Sequence, residues 1–287
     1  MFSLPLEIRT PLGKIVLKET VKSKLEQTIL PHLTPEGNLL DLEKKNIGPE
    51  ELRLLCEAGK ELEAVKQVYI SDNELGSTEI EILCQSRCFP NLDKLYLNHN
   101  RIGDAGARAL AESGLVKNLS CLMLEANEIG PEGMQAFAAS PNLQNLDTLF
   151  LDSNPIGPDG ARTLAQSTNL SNLTELHLDS TQIGDEGVKA IADTHTLTGL
   201  QKLYLCSNKI SNTGAIALAQ SPNLKNLNCL SVWRNEIRDE GGKAIAESQA
   251  LINLERLYMS LNLIDRPVRT LIRSSNLASR LKTLVMD

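Results

Sequence analysis

One histidine stands where side-chain chemistry is conceivable. His177 has Asp152 25 residues before it, Asp179 two after it and Cys206 29 after it. If the chain repeats with a period near those separations, the four side chains come together on neighbouring strands. A thiol beside an imidazole is the arrangement of an activated nucleophile, and His, Cys and two carboxylates are also metal-ligand types. Both readings need more than proximity. A nucleophile needs oxyanion donors and a pocket, and no motif for either accompanies these residues. A patch of polar contacts is the reading that asks least of them. Cys84 and Cys88 lie four apart on one face of an expected helix. Zinc would require two further ligands nearby, so they read as packing residues. Many glycines recur, but their spacing is that of a structural period and not of a phosphate-binding loop. The sequence therefore predicts no enzyme, no cofactor and no metal.

The element that places those residues is a 27-residue repeat. Val65, Leu92, Leu119, Leu146, Leu173, Leu200, Leu227, Leu254 and Leu281 form one apolar column, and every step is 27. Columns beginning at Val68 and Ile70 follow it in step. An asparagine column (Asn73, Asn100, Asn127, Asn154, Asn208, Asn235, Asn262) is broken only by Thr181. A degenerate first unit, Leu40-x-Leu42 with Ile47 and Gly48, precedes them by 28. Each unit reads L-x-x-L-x-L-x-x-N-x-I-G-x-x-G-A-x-x-L-A. The alternating leucines predict a short strand with both leucines on one face. The asparagine amide suits a bend whose backbone groups no sheet satisfies. Gly103 and Gly106 fit a turn into a helix, and Ala107–Ala111 is a good helix former. A second column, Asn91, Asn118, Asn145, Asn172, Asn226 and Asn253, predicts a cap on the returning turn.

This unit resembles the leucine-rich repeat, in the subtype of ribonuclease inhibitor. That subtype also occurs in NOD-like receptors, in the GTPase-activating protein of Ran and in effectors injected by intracellular bacteria. The resemblance covers about residues 40–287. It implies an α/β fold: a right-handed leucine-rich-repeat solenoid, or horseshoe, with a concave parallel β-sheet and helices on the convex side. Strands sit ~4.8 Å apart and packed helices ~8–10 Å, so such a stack must curve with its strands inward. Residues 1–39 fall outside the repeat and predict an N-terminal capping segment. Within it Val21, Leu25 and Ile29 are spaced as one helix face. Residues 40–287 predict about nine repeats and a final strand, with Pro267 interrupting the last helix. After Leu284–Met286 either the strand edge pairs with something or the natural chain is longer.

A solenoid binds through the positions its repeat leaves free. One outward column reads Tyr69, Tyr96, Met123, Phe150, His177, Tyr204, Ser231, Tyr258, and it holds all four tyrosines of the chain. The next reads Ser71, Asn98, Glu125, Asp152, Asp179, Cys206, Trp233, Ser260 and holds the only tryptophan. Aromatics suit strands and pack across neighbours. On an exposed sheet, however, polar residues serve as well, and Tyr and Trp are favoured anchors of binding hot spots. Charge divides this face. Glu125, Asp152, Asp179 and Glu175 make an acidic centre, and Lys202, Arg234 and Arg256 flank Trp233. The expected partner-binding residues are thus Tyr69, Tyr96, Phe150, Asp152, His177, Asp179, Tyr204, Trp233, Arg234, Arg256 and Tyr258.

The formal net charge of −7 opposes a general phosphate-binding surface. No run approaches the ~18 apolar residues of a membrane span, and the N-terminus lacks a secretory layout. The six cysteines are scattered and fit reduced thiols in the cytoplasm. Together these readings predict a monomeric scaffold that binds another protein on its concave face, without nucleic acid or membrane. The resemblance adds two settings: a bacterial effector acting in the host cytosol and, as the alternative, a GTPase-activating protein of the Ran-regulator type.

Overall fold

The computed structural model describes residues 23–287. Ten three-residue strands run in parallel in one sheet, in chain order. They are β1 (Leu39–Asp41), β2 (Gln67–Tyr69), β3 (Lys94–Tyr96), β4 (Cys121–Met123), β5 (Thr148–Phe150), β6 (Glu175–His177), β7 (Lys202–Tyr204), β8 (Cys229–Ser231), β9 (Arg256–Tyr258) and β10 (Thr283–Val285). Each of the first nine is followed by a return through a helix, among them α1 (Pro49–Glu57), α2 (Ser77–Cys84) and α3 (Gly103–Glu112). The pairing register equals the repeat: Leu149 lies opposite Leu122 on one side and Leu176 on the other. Strands therefore line one face of a solenoid and helices the other.

The core is one continuous aliphatic column. Leu122, Leu149, Leu176, Leu203 and Leu230, the middle residues of their strands, are all fully buried, as are Leu151 and Leu178 two positions on. At the last coil the counterparts Leu281, Leu284 and Met286 are only partly buried, because no further coil lies against them. Leu25 and Ile29 join the core, residues 23–28 are helical, and Leu33 bridges to Leu40 in antiparallel sense. Val21 of the expected capping helix lies outside the described residues. Pro267 does not interrupt a helix. It stands in the first turn of Arg266–Arg273, where its missing N–H is unneeded and its fixed φ is already helical. No helix among the described residues is long and apolar enough to cross a membrane.

Strands of three residues leave most of each coil's backbone without a sheet partner. The asparagine column supplies one. Asn154 donates through Nδ2 to the carbonyls of Leu124 (2.8 Å) and Leu151 (2.9 Å), and its Oδ1 accepts from Asn127 N (3.0 Å) and Ile129 N (2.9 Å). One amide thereby joins two coils. The second asparagine column works at the returning turn, where Asn145 Nδ2 reaches Lys117 O at 2.9 Å and Asn172 Nδ2 reaches Gln144 O at 2.7 Å. A third ladder escaped the sequence reading. Ser113, Ser140, Ser167, Thr194, Ser221 and Ser248 each donate a hydroxyl to the backbone carbonyl 29 residues earlier, as Ser167 does to Ala138 O at 2.7 Å.

Thr181, the one break in the asparagine column, does not loosen its turn. Ser180 and Gln182 keep φ of 58° and 61°, matching 56° and 58° at Ser207 and Lys209 in the next coil. Thr181 N bonds Asn208 Oδ1 at 3.0 Å, and Thr181 Oγ1 bonds Leu178 O at 2.6 Å. The reason lies one coil upstream. Pro155 cannot take a positive φ, and Gly157 takes it instead at 65°. The Gly157 N–H then donates to the main-chain oxygen of Thr181 (3.0 Å), and Ile156 N turns to Asn154 O (2.8 Å). The Ile156 N–H is thereby satisfied without a side-chain acceptor at 181. The coil at Asn100 behaves alike: Gly103 N donates to Asn127 O at 2.9 Å, and Asn127 Oδ1 is buried without a partner.

Two outcomes follow for stability. Leu151→Ala should cost about 2–5 kcal/mol in urea unfolding. Thr181→Asn should gain nothing, whereas Asn154→Thr strands two buried N–H groups at about 1–3 kcal/mol each. A Thr181→Asn gain as large as the Asn154→Thr loss would refute the assignment of the two turn types.

Candidate functional site

The outward columns fall on the strand face in the expected order, and their side chains pack on one another. Tyr69 and Tyr96 stack with ring centroids 4.0 Å apart. Phe150, His177 and Tyr204 form a second stack, with separations of 3.7 and 4.0 Å. Register explains both: these residues are direct neighbours across β2–β3 and β5–β7. Met123 and Ser231 interrupt the series, so Tyr258 stands apart. Within each stack the faces meet one another.

His177 is held on every side. Its Nε2 lies 2.9 Å from Glu175 Oε1 and its Nδ1 3.8 Å from Asp152 Oδ2. Glu175 Oε2 in turn accepts from Lys202 Nζ at 2.6 Å. Burial lowers the imidazole pKa against the opposing pull of Glu175 and Asp179. Burial also acts to raise Glu175, but the hydrogen bonds from Lys202 and His177 outweigh it and leave that carboxyl below its usual value. This chain of contacts alters two of the sequence expectations. Lys202 neutralises Glu175 and is not part of a free cationic rim around Trp233, and Glu175 is not part of an unpaired acidic centre.

The carboxylates of the next column have structural duties. Asp152 Oδ1 accepts from Asp179 N and Asp179 Oδ1 accepts from Cys206 N, both at 2.6 Å, as Asn98 Oδ1 does from Glu125 N at 2.9 Å. They satisfy backbone just past the short strands. Burial raises Asp152 to about 7, with Asp179 and Glu125 adding like-charge repulsion against the help of the Asp179 N–H.

Cys206 is placed beside this group but not as a nucleophile. It is buried, with Sγ 3.0 Å from Ser231 Oγ, and burial pushes its thiol up to about 12. A reactive thiolate needs the opposite shift. Cys229 and Ser231, outward in register, are likewise buried under larger neighbours. All six cysteines are free, Cys84 and Cys88 included. Among the described residues no three His, Cys, Asp or Glu side chains converge in a group able to hold a metal ion. Hollows on the helix side recur with the repeat. One of about 570 Å³ is lined by Arg162, Lys189 and His195, and a similar one by Arg108 and Asn142. They are grooves between successive helices.

Tyr69, Tyr96, Phe150, Asp152, His177, Asp179, Tyr204, Arg256 and Tyr258 are half-buried on the strand face, and Arg234 is exposed. Trp233 is 38% exposed, the most open aromatic among the described residues. Two neighbours were missed. Leu261 is 52% and Leu263 48% exposed. Their signal was present: the Leu261 column elsewhere reads Asp72, His99, Ala126, Ser153, Ser180, Ser207, Arg234, with no other large apolar residue.

Five segments, residues 90–111, 117–138, 169–192, 197–219 and 223–246, match the family model described as leucine-rich repeat. The coil between the second and third matches keeps the same strand register. The search of curated proteins finds no match. Among solved structures, an internalin, InlF, from Listeria monocytogenes aligns with TM-score 0.54 and 27% identity, over 79% of this chain and 55% of that one. The structure of a TLR13–ssRNA13 complex aligns with TM-score 0.55 and 18% identity, over 87% of this chain and 32% of that one. The second likeness is one of fold. The chain spans about half the length of the first and a third of the second.

The raised pKa of Asp152 has a measurable sign. An unfolded Asp titrates near ~3.9, so from about pH 4 to 7 the folded state holds a proton that the unfolded state has lost. Stability from this group therefore falls as pH rises through that window. Asp152→Asn keeps the acceptor for Asp179 N and removes the titration. In urea unfolding the variant should gain on the wild type more at pH 8 than at pH 5. A pH-independent difference would mean that Asp152 ionises normally.

Proposed function

We propose that this chain, a leucine-rich-repeat protein, is a scaffold that binds another protein on its concave, strand-lined face. The observation that carries this reading is the distribution of aromatic side chains. Every tyrosine and the only tryptophan occupy outward strand-face columns, where the core draws no benefit from them. Half-buried aromatic rings, flanked by charge and held on short strands, suit a binding surface whose energy comes from a few desolvated anchors. The backbone beneath is fixed by three ladders, so little ordering cost falls on binding.

Two further features support a protein partner. The stacked rings show edges and hydroxyls to solvent, a mixed polar and apolar surface. The carboxylates Glu125, Asp152 and Asp179 lie just past successive strands toward the centre, with Arg234 and Arg256 nearer the C-terminal end. That separation gives orientation to an incoming chain. The unbroken 27-residue period and the resemblance to bacterial leucine-rich-repeat effectors support, within this reading, an effector acting on a host protein in the cytoplasm.

The test is affinity capture followed by calorimetry on the captured partner. Trp233→Ala should weaken binding by about 2 kcal/mol or more and leave the unfolding midpoint nearly unchanged. Tyr69→Ala, at the far end, should matter less. Lys189→Ala in a helix-side groove is the control for the opposite face. Normal binding by Trp233→Ala, or loss of binding by Lys189→Ala alone, would place the partner elsewhere.

A further inference from the structure

Two of the free thiols converge on one hydroxyl at the first junction between coils. At later junctions a pair of polar side chains closes the end of the preceding helix. Ser140 Oγ and Asn142 Nδ2 both reach Ala111 O, and Thr194 Oγ1 and Thr196 Oγ1 reach Ala165 O at 2.7 and 2.8 Å. In the same columns the first junction holds Ser86 and Cys88, and the 28-residue step of the first unit puts Cys56 in the place of Ala111 and Ala165. Thr196 touches its carbonyl with a γ atom. The γ sulfur of Cys88 occupies that position, so the register aims it at Cys56.

Ser86 links the two. Where Ser113 and its successors donate to a helix carbonyl, Ser86 Oγ lies 2.6 Å from Cys88 Sγ and accepts from Cys88 N at 3.3 Å. Cys56 Sγ donates to Ile82 O at 3.3 Å, on the coil that carries Ser86. Burial raises three thiols, Cys84 and Cys88 to about 11; the opposing hydroxyl is Ser86 at Cys56 and Cys88, and Ser113 of the following coil at Cys84. A charge on Cys56 would raise Cys88 further. Cys84 thus faces the third coil and Cys88 the first, although they are four residues apart in sequence. Cys88 is buried, and Cys56 is half-buried.

We infer that Cys56 and Cys88 form a reversible dithiol site whose reactant is a low-molecular-weight disulfide. Cys56, the more accessible thiol, reacts first. It loses its proton to water and its thiolate bonds to one sulfur of the reagent. The reagent's S–S bond breaks, and the departing thiolate takes up a proton. Cys88 then loses its proton, with the Ser86 hydroxyl bonded to the thiolate, and attacks Cys56 Sγ. The mixed S–S bond breaks and the second small thiol leaves. The protein dithiol is oxidised by two electrons and the reagent is reduced by two. Burial keeps the thiolate fraction low at neutral pH, so exchange is slow there and quickens as pH rises. The second step is intramolecular, which offsets that shortage. The new bond ties the end of α1 to the return after α2, and the loop it closes contains β2 with Tyr69.

The full chain is incubated at pH 9 with excess oxidised glutathione, alkylated, digested and mapped by mass spectrometry. The peptides holding Cys56 and Cys88 should be recovered joined, two hydrogens lighter than their sum, and should separate after dithiothreitol. In Cys88→Ser the glutathione should stay on Cys56. In Cys56→Ser the thiol of Cys88 should remain free, and Cys84→Ser should keep the link. Circular dichroism checks that each variant folds, and the mapping of the wild type stands without them. In the Cys84→Ser background the linked chain should unfold at a higher urea concentration than the reduced one, because the bond restricts the unfolded chain. A Cys84–Cys88 bond overturns the inference. So does a glutathione adduct that persists on Cys56 of the wild type, or free thiols at both positions after a day. An unchanged or lower urea midpoint for the linked chain also overturns it, since bonding would then require the coils to distort.

Discussion

A strand of three residues cannot satisfy the backbone of a 27-residue coil, and the structure depends on how that shortage is met. Buried N–H and C=O groups without partners cost about 1–3 kcal/mol each, and every coil would carry several. Side chains make up the deficit at three levels of the solenoid. Asn73, Asn100, Asn127 and their successors bridge coils beyond the strands. Asn91, Asn118 and theirs close the returning turn. The Ser113 series ties down the ends of the helices. Each bond runs between neighbouring coils, so the polar ladders and the leucine column enforce one register. Sheet, core and helix packing are consequences of that agreement.

The strand face shows how little of a surface is free for recognition. Asp152 and Asp179 face solvent, yet each spends one carboxylate oxygen on a backbone N–H of the next coil. His177 is sandwiched between rings and held by Glu175. Lys202 is committed to that same carboxylate. The centre of the face is thus internally paired, whereas the side chains of Trp233 and Arg234 stand exposed. The same columns serve support in the middle of the array and exposure at its C-terminal side.

The fold was legible because its causes are periodic. Leu149, Leu151, Asn154 and Ser167 each sit in a column, and a column can be read without coordinates. The serine–threonine ladder was equally periodic. It was missed because short polar residues after a helix are common in turns for other reasons. What a column cannot show is how a position answers to the coil beside it. Thr181 looked like a defect until Pro155 and Gly157 were seen to change the turn one coil upstream. Lys202 looked like a free cation until its reach to Glu175 was seen. The outward positions were placed correctly, but Cys206 and Ser231 are small and are closed over by neighbours. Leu261 and Leu263 are types that do not recur in their columns, and a column displays only what recurs.

Because each coil bonds only to the one before and the one after, the array has no contact that measures its total length. A change of one residue inside a strand would flip its side chains, whereas the 28-residue first unit takes its extra residue outside the strand and keeps both register and asparagine bonds. A change of a whole 27-residue block would leave every surviving contact of the same kind, joining like ends to like. Duplication or loss of blocks is therefore the change in length this architecture tolerates. The distance between the Tyr69–Tyr96 pair and the Phe150–Tyr204 stack can grow or shrink only in steps of one strand spacing, about 4.8 Å. Against any partner that touches both, the protein is a ruler graduated in coils.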